Sequence, residues 1–237
     1  MGADCESPSA CRGGDPKLEA IALLLQRRFG RRLRILAVGC GDGTEAAVLA
    51  DLLDARLTGI DILDRFHRDA RRRVELIAAD ARQLPFAENA FDVVFSYHAL
   101  EHIAPAHEAV AEMRRVLRST GGFWIGTPNR SRLLGYLGSR DASTRHKVQW
   151  NVTEWWARFR GRFSNELGAH AGFTSRELRG MLESEFQVVE NETSDYYAHL
   201  YPRYRWLLAA LEHLGLDKFL YPSIYFAGSG PKPTPPS

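Results

Sequence analysis

The sequence predicts an α/β chain in which a doubly wound, mostly parallel seven-stranded sheet carries a helical insertion after its fifth strand. Three observations predict it. From Leu33 onward, apolar runs of strand length alternate with helical patterns; a glycine-rich turn joins the first run to a helix; and the rhythm stops after Pro128-Asn129 and resumes near Thr174. Strand and helix alternating at this pace build βαβ units and hence a parallel sheet. With 237 residues, 45% of them apolar, the chain can fill the core of one large domain.

Residues 1–14 are polar and Gly-rich and read as a disordered head. Asp15-Pro16 then supplies an N-cap with proline in the first helical position, and Leu18, Ile21, Ala22, Leu25 and Phe29 follow at helical spacing. Arg27, Arg28, Arg31, Arg32 and Arg34 crowd the end of this helix and read as a solvated face that complements the helix dipole. Strands are predicted over 34–38, 56–60, 74–78, 91–96 and 123–127, with helices over 44–53, 64–73 and 105–118 between them. Gly121-Gly122 reads as the stop of the last of these helices.

Residues 130–172 contain no sheet-strand pattern and read as a substrate-binding insertion. Within it Asn151, with Glu154 completing a capping box, is expected to open a helix that lines up Val152, Trp155, Trp156, Phe159 and Phe163 on one face. Thr174 opens another helix with Glu177 in the same device, and Leu178, Met181 and Leu182 form its apolar face. A sixth strand is expected over 186–190, a helical stretch over 202–214 and a seventh strand over 223–227. The domain is thus expected to span 15–229, with a Pro-rich disordered tail over 230–237.

The formal net charge of +2 gives no overall field for nucleic acid. Cys5, Cys11 and Cys40 make neither an even disulfide set nor a zinc-ligand spacing, so reduced thiols and no metal are expected. The opening residues lack an apolar signal region, and no apolar run approaches the roughly 18 residues that cross a bilayer. A cytoplasmic location is expected.

The chemistry is concentrated in Ile35-Leu36-Ala37-Val38-Gly39-Cys40-Gly41-Asp42-Gly43-Thr44. A buried strand runs into three alternate glycines and a helix that Asp42 is expected to cap. Gly39 and Gly41 permit positive φ and close ligand approach, and the helix start offers free N–H groups. The third glycine of a dinucleotide fingerprint would fall at position 44, which is Thr44, so NAD and FAD are disfavoured. A P-loop ending is also missing. Asp61 ends the second strand about 20 residues beyond the loop, the place from which a carboxylate accepts a ribose diol. Asp80 ends the third strand, and Ser96-Tyr97-His98 ends the fourth. All these strand ends face one crevice.

Together these residues resemble the class I S-adenosylmethionine-dependent methyltransferases, particularly their small-molecule branch, whose fold is Rossmann-like. The glycine loop is similar to the family's first motif and Asp61 to its ribose acid. Asp80-Ala81 resembles its adenine-reading pair, and Phe91–Ser96 with Leu100-Glu101-His102-Ile103 its fourth-strand motif. Arg115-Val116-Leu117 through Gly121-Gly122 to Thr127-Pro128-Asn129 resembles the next one, in the manner of the quinone-biosynthesis O-methyltransferases. The resemblance implies S-adenosyl-L-methionine as cofactor. Gly39, Gly41 and Gly43 would belong to its site, the first two lying against the methionine moiety. Asp61 would hold the ribose, Ile62 would flank the adenine, and Asp80 would meet its amino group. The Ala81 N–H would meet a ring nitrogen, and the Ser96 backbone would approach the methionine amine. Ala37 departs from the family, which usually has an acid two positions before its first glycine.

Methyl transfer needs in-line alignment above all, and a base only where the acceptor must lose a proton. His98, His102 and His170 are the candidate bases, with His98 nearer the expected methyl and His170, in the insertion, the candidate to turn to if His98 only walls the pocket; Glu101-His102 is frequent in the family without being catalytic. Between Arg130 and Phe173 seven Arg and one Lys face one Asp and two Glu. A basic, aromatic insertion suits a small acceptor that is acidic or phosphorylated, or lipid-linked, with an apolar body. O-methylation is expected slightly ahead of N- or C-methylation. Two rival readings are an aminopropyltransferase, because Gly41-Asp42-Gly43 also occurs in polyamine synthases, and a non-catalytic S-adenosylmethionine-binding regulator.

Overall fold

The computed structural model describes residues 14–135, 143–163, 165 and 171–233. Helix α1 (Pro16–Phe29) starts as expected, with the Asp15 carboxylate accepting the Lys17 amide. Strands β1 (Arg34–Val38), β2 (Arg56–Asp61), β3 (Glu75–Ala78), β4 (Phe91–Tyr97), β5 (Leu117–Pro128), β6 (Phe186–Asn191) and β7 (Ser223–Pro231) form one sheet. Its order is β3-β2-β1-β4-β5-β7-β6. The first five strands pair in parallel, and β7 runs antiparallel to both β5 and β6. This is the seven-stranded, mostly parallel sheet of the Rossmann-like class.

Helices cover both faces, as a parallel sheet requires. Strand β5 states the division residue by residue, because successive side chains point to opposite sides. Trp124 packs on one face with Tyr196, Tyr225 and the apolar side of α1, whereas Phe123 and Ile125 pack on the other with Phe186 and Phe226. The first face also holds α2 (Thr44–Leu53) and α7 (Thr193–Leu200); the second holds α4 (Ala106–Val116) and α6 (Ser175–Glu185). Thr174 and Glu177 form the expected capping box of α6.

Several expected boundaries are corrected. The helix over 64–73 shrinks to α3 (Arg68–Arg71), because His67 caps it and is itself tied by its amide to the Asp42 carbonyl at 2.8 Å. Gly121-Gly122 does not stop a helix: α4 ends at Val116, and both glycines lie inside β5, which begins six residues earlier than expected. A β-carbon at Gly122 would come within 2.5 Å of the Gly228 carbonyl oxygen and 2.3 Å of the Phe29 ring, so close packing selects glycine there. Asn151 does not open its helix. Helix α5 (Thr144–Phe159) starts about two turns earlier under a Ser143 cap, leaving Asn151 buried in mid-helix, where its amide binds the Gly135 backbone N–H at 2.6 Å and carbonyl at 3.1 Å. The end of β7 at Pro231 carries the sheet past the expected boundary at 229. Arg28 is not merely solvated, since it bridges Glu190 and Glu192. Helix α7, a 3₁₀ turn at Pro202–Tyr204, α8 (Arg205–His213) and α9 (Asp217–Leu220) complete the chain. Cys5, Cys11 and His170 lie outside the described residues; Cys40 is a free thiol.

Candidate functional site

The carboxyl ends of β1, β2, β3 and β4 open onto a cavity of about 540 Å³. Its walls include Gly39, Gly41, Asp61, Ile62, Asp80, Ala81, His98 and His102. Sequence reasoning therefore brought most of its candidate residues to one place. The reason is topological: a parallel sheet aims successive strand ends the same way.

The glycine turn divides its labour. Gly39, Gly41 and Gly43 all have positive φ, at +71°, +58° and +83°. A β-carbon on Gly41 would meet nothing within 4 Å, so its α-carbon faces open space over the cavity. By contrast, a β-carbon on Gly43 would lie 2.5 Å from Leu76, and Gly43 lines neither this cavity nor its neighbour. Gly43 is thus a packing and capping glycine: it occupies the N-cap of α2, the position expected for Asp42, whose carboxylate instead accepts the Thr44 amide at 2.9 Å.

Asp61 is fixed from both sides. One oxygen accepts the Gly41 amide at 2.9 Å and the other the Leu63 amide at 3.1 Å. These bonds hold the carboxylate upright at the cavity wall and leave each oxygen a further lone pair. Asp80 is gripped by Arg82, whose Nη2 lies 2.7 Å from Oδ2 and whose Nε bonds both oxygens at 3.1 Å. Those bonds hold the Asp80 carboxyl below the usual carboxylate range. Arg82 also lines the cavity and donates to the Ala104 carbonyl, a role the sequence reading did not assign.

Ser96 is fully buried, its hydroxyl spent on the Val38 carbonyl, and it lines neither cavity. The residue after β4 is different. His98 takes a positive φ of +53°, which swings its ring into the cavity. Its Nε2 is hydrogen-bonded to Ser223 Oγ at 3.2 Å, and its Nδ1 lies 3.8 Å from a Glu101 carboxylate oxygen. Burial pushes the Glu101 carboxyl up to about 7. Ser223 was not singled out for this part, because no sequence spacing reveals that β7 runs antiparallel to β5 and starts beside its carboxyl end; Glu101, three residues after His98, was within reach of spacing but was read only as part of a motif.

A second cavity of about 390 Å³ lies behind the glycine turn and shares Gly39 and Gly41 with the first. Ala37, Glu45 and Tyr97 are among its walls. Burial, then the charge of Asp61, pushes the Cys40 thiol up to about 12, so it is no nucleophile at neutral pH.

Comparison with known proteins agrees with this geometry. Residues 36–125 match the family model described as a methyltransferase domain. A 27-O-demethylrifamycin SV methyltransferase of Amycolatopsis mediterranei (strain S699) is 32% identical over 117 residues, covering 46% of this chain and 42% of that protein. The sterol 24-C-methyltransferase erg-4 of Neurospora crassa is 30% identical over 49% of this chain and 35% of its own length. The chain thus spans less than half the length of these relatives. Among solved structures, the PH0226 protein of Pyrococcus horikoshii OT3 superposes with a TM-score of 0.58 at 18% identity, covering 91% of this chain and 90% of that one. Residues 36–125 are thus similar to a methyltransferase domain, and the fold around them is the α/β fold shared with PH0226.

The site fits S-adenosylmethionine as cofactor. Gly41 leaves open space over the cavity, Asp61 presents a carboxylate oriented by two backbone amides, and Ile62 is an exposed apolar edge, which are groups such a cofactor could use. Among the described residues no group of three or more His, Cys, Asp or Glu is placed to hold a metal ion.

Proposed function

We propose that the chain transfers the methyl group of S-adenosylmethionine to the hydroxyl of a small acceptor that is acidic or has an apolar body. The observation that carries the hydroxyl is the placement of His98. It projects into the cavity with Ser223 on one ring nitrogen and the buried Glu101 carboxylate near the other. In this reading the acceptor hydroxyl takes the place of Ser223 at Nε2 and gives its proton to that nitrogen, while Nδ1 stays turned towards Glu101. When bound, S-adenosylmethionine supplies an electrophilic methyl on a sulfonium centre. Asp61 would hold the ribose, Gly39 and Gly41 would lie against the methionine part, and Asp80 with Arg82 and Ala81 would border the base. His98 would take up the proton released from the acceptor oxygen. The described parts of the insertion, 130–135 and 143–163, would supply acceptor specificity.

The test is to incubate the purified chain with methyl-labelled S-adenosylmethionine and fractionated host metabolites. Label should enter a hydroxyl-bearing compound and fail to enter it with His98→Ala. Label on carbon or nitrogen overturns the hydroxyl assignment, and tight cofactor binding with no transfer to any fraction favours a non-catalytic binder.

A further inference from the structure

We infer that α5, α8 and α9 form a docking surface for an anionic lipid bilayer. Helix α5 has sixteen residues yet buries only Asn151, and α8, with the sequence RWLLAALEH, buries none. The side chains left in solvent are those a folded chain normally hides. Trp155 is 46% exposed, Trp156 56%, Phe159 85% and Trp206 71%. Scattered apolar residues on a surface need no explanation, but a contiguous group rich in tryptophan marks an interaction site.

The group is contiguous. The Trp155 indole N–H donates to the Leu133 carbonyl at 2.7 Å, and the Leu133 amide donates to the Phe219 carbonyl of α9 at 2.7 Å. Leu133 is itself 53% exposed. Asn129, at the end of β5, ties α9 down through the Lys218 and Tyr221 carbonyls, and two residues beyond Tyr221 stands Ser223, the partner of His98. The surface is therefore anchored, through the buried Asn129 and Tyr221, to the strand end that carries the partner of His98.

Charge selects the occupant. Residues 143–163 and 201–220 together carry eight Arg and Lys against three Asp and Glu; Glu154 is turned inward to Arg132 at 2.6 Å and Arg158 to the Arg130 carbonyl at 2.6 Å, which leaves seven cations against two acids. Arg160 sits over the Trp156 ring at 5.4 Å, and the Lys218 ammonium over the Phe219 ring at 5.2 Å. Cations stacked on half-exposed aromatic rings can meet lipid phosphates while the rings enter the boundary of the acyl layer. A two-fold dimer through this face would set the same basic surface against itself, which like charges oppose. No helix of the described residues is long and apolar enough to span a membrane, so the contact is in-plane.

The test is sedimentation of the full chain with vesicles of phosphatidylcholine alone or containing 30 mol% phosphatidylglycerol, in the absence of cofactor and acceptor. It therefore stands or falls separately from the methyl-transfer reading. Binding is expected only with the anionic vesicles, with a blue shift of tryptophan fluorescence. Trp156→Ala with Phe159→Ala, and Arg160→Glu with Arg162→Glu, should each lower the partition coefficient at least about tenfold. Both pairs lie in solvent, and unchanged circular dichroism and melting would confirm that they fold. The inference is overturned by absence of binding, by equal binding to neutral and anionic vesicles, or by variants that bind as the parent does. Self-association abolished by Trp156→Ala with Phe159→Ala, without vesicle binding, would assign the face to a second copy instead. Retention by an acidic protein alone would assign it to a protein partner.

Discussion

Nδ1 of His98 lies 3.8 Å from Oε1 of Glu101, a residue only 5% exposed whose second carboxylate oxygen is buried without a hydrogen-bond partner. Burial holds this carboxyl protonated up to about pH 7, far above its ordinary value of 4.5. The native state thus keeps a proton that the unfolded chain has already released. Stability from this group is present below pH 4.5 and is lost as pH rises through about 7, amounting to on the order of 3 kcal/mol. Denaturant midpoints measured from pH 5 to pH 8 should fall for the parent protein and stay flatter in Glu101→Gln. Parallel curves would show that Glu101 does not control the slope.

His98→Ala should cut kcat by about 10²–10⁴ while cofactor affinity changes little. Glu101→Gln, which preserves shape but not charge, should shift the acidic limb of the pH–rate profile. Measuring kcat and cofactor Kd on the same preparations separates this role from packing. Equal losses in both quantities would make His98 a cavity wall.

Gly41 and Gly43 should fail differently. Alanine at Gly43 collides with Leu76 at a positive φ, so Gly43→Ala should lower the melting temperature, through a cost of about 1–3 kcal/mol. The remaining folded molecules should still bind the cofactor. Gly41→Ala meets no protein atom and pays only the left-handed strain of about 1–2 kcal/mol, but its methyl projects over the cavity. Its cofactor affinity should drop severalfold more than its stability predicts. Calorimetry beside thermal melts distinguishes the two.

Asp61→Ala should weaken S-adenosylmethionine binding at least about tenfold, because hydrogen bonds to a charged acceptor are worth roughly 1.5–3 kcal/mol. It also frees the Gly41 and Leu63 amides, which can turn to water at this half-exposed edge. Isothermal titration showing unchanged affinity would remove Asp61 from the cofactor site.

The parallel half of the fold was legible because its signals are local. Each of the first four strands is a short apolar run, and Asp61, Asp80 and His98 follow from where those runs end. Legibility failed where a tertiary contact overrode a local signal. Gly121-Gly122 looked like a helix stop, yet the approach of Phe29 and Gly228 placed it inside a strand. Asn151 looked like a cap, yet its amide was needed to satisfy the backbone of Gly135. Helix α7 was not anticipated, because Tyr196 and Tyr197 are buried in an aromatic stack that gives no ordinary amphipathic stripe. The pairing of Asp80 with Arg82 was within reach, since the two are only two residues apart at a strand end.

The position of β7 has a kinetic consequence. It lies between β5 and β6, and β6 joins the sheet only through it. During folding the sixth strand has no docking edge until residues 223–231 arrive, and the His98–Ser223 bond closes a loop of 125 residues in the same event. Such long-range closure comes late and slowly. A ribosome-bound chain can therefore set Gly41, Asp61 and Asp80 around the cavity from the first strands before the His98–Ser223 bond can form, and that corner of the cavity would mature last, with the final strand.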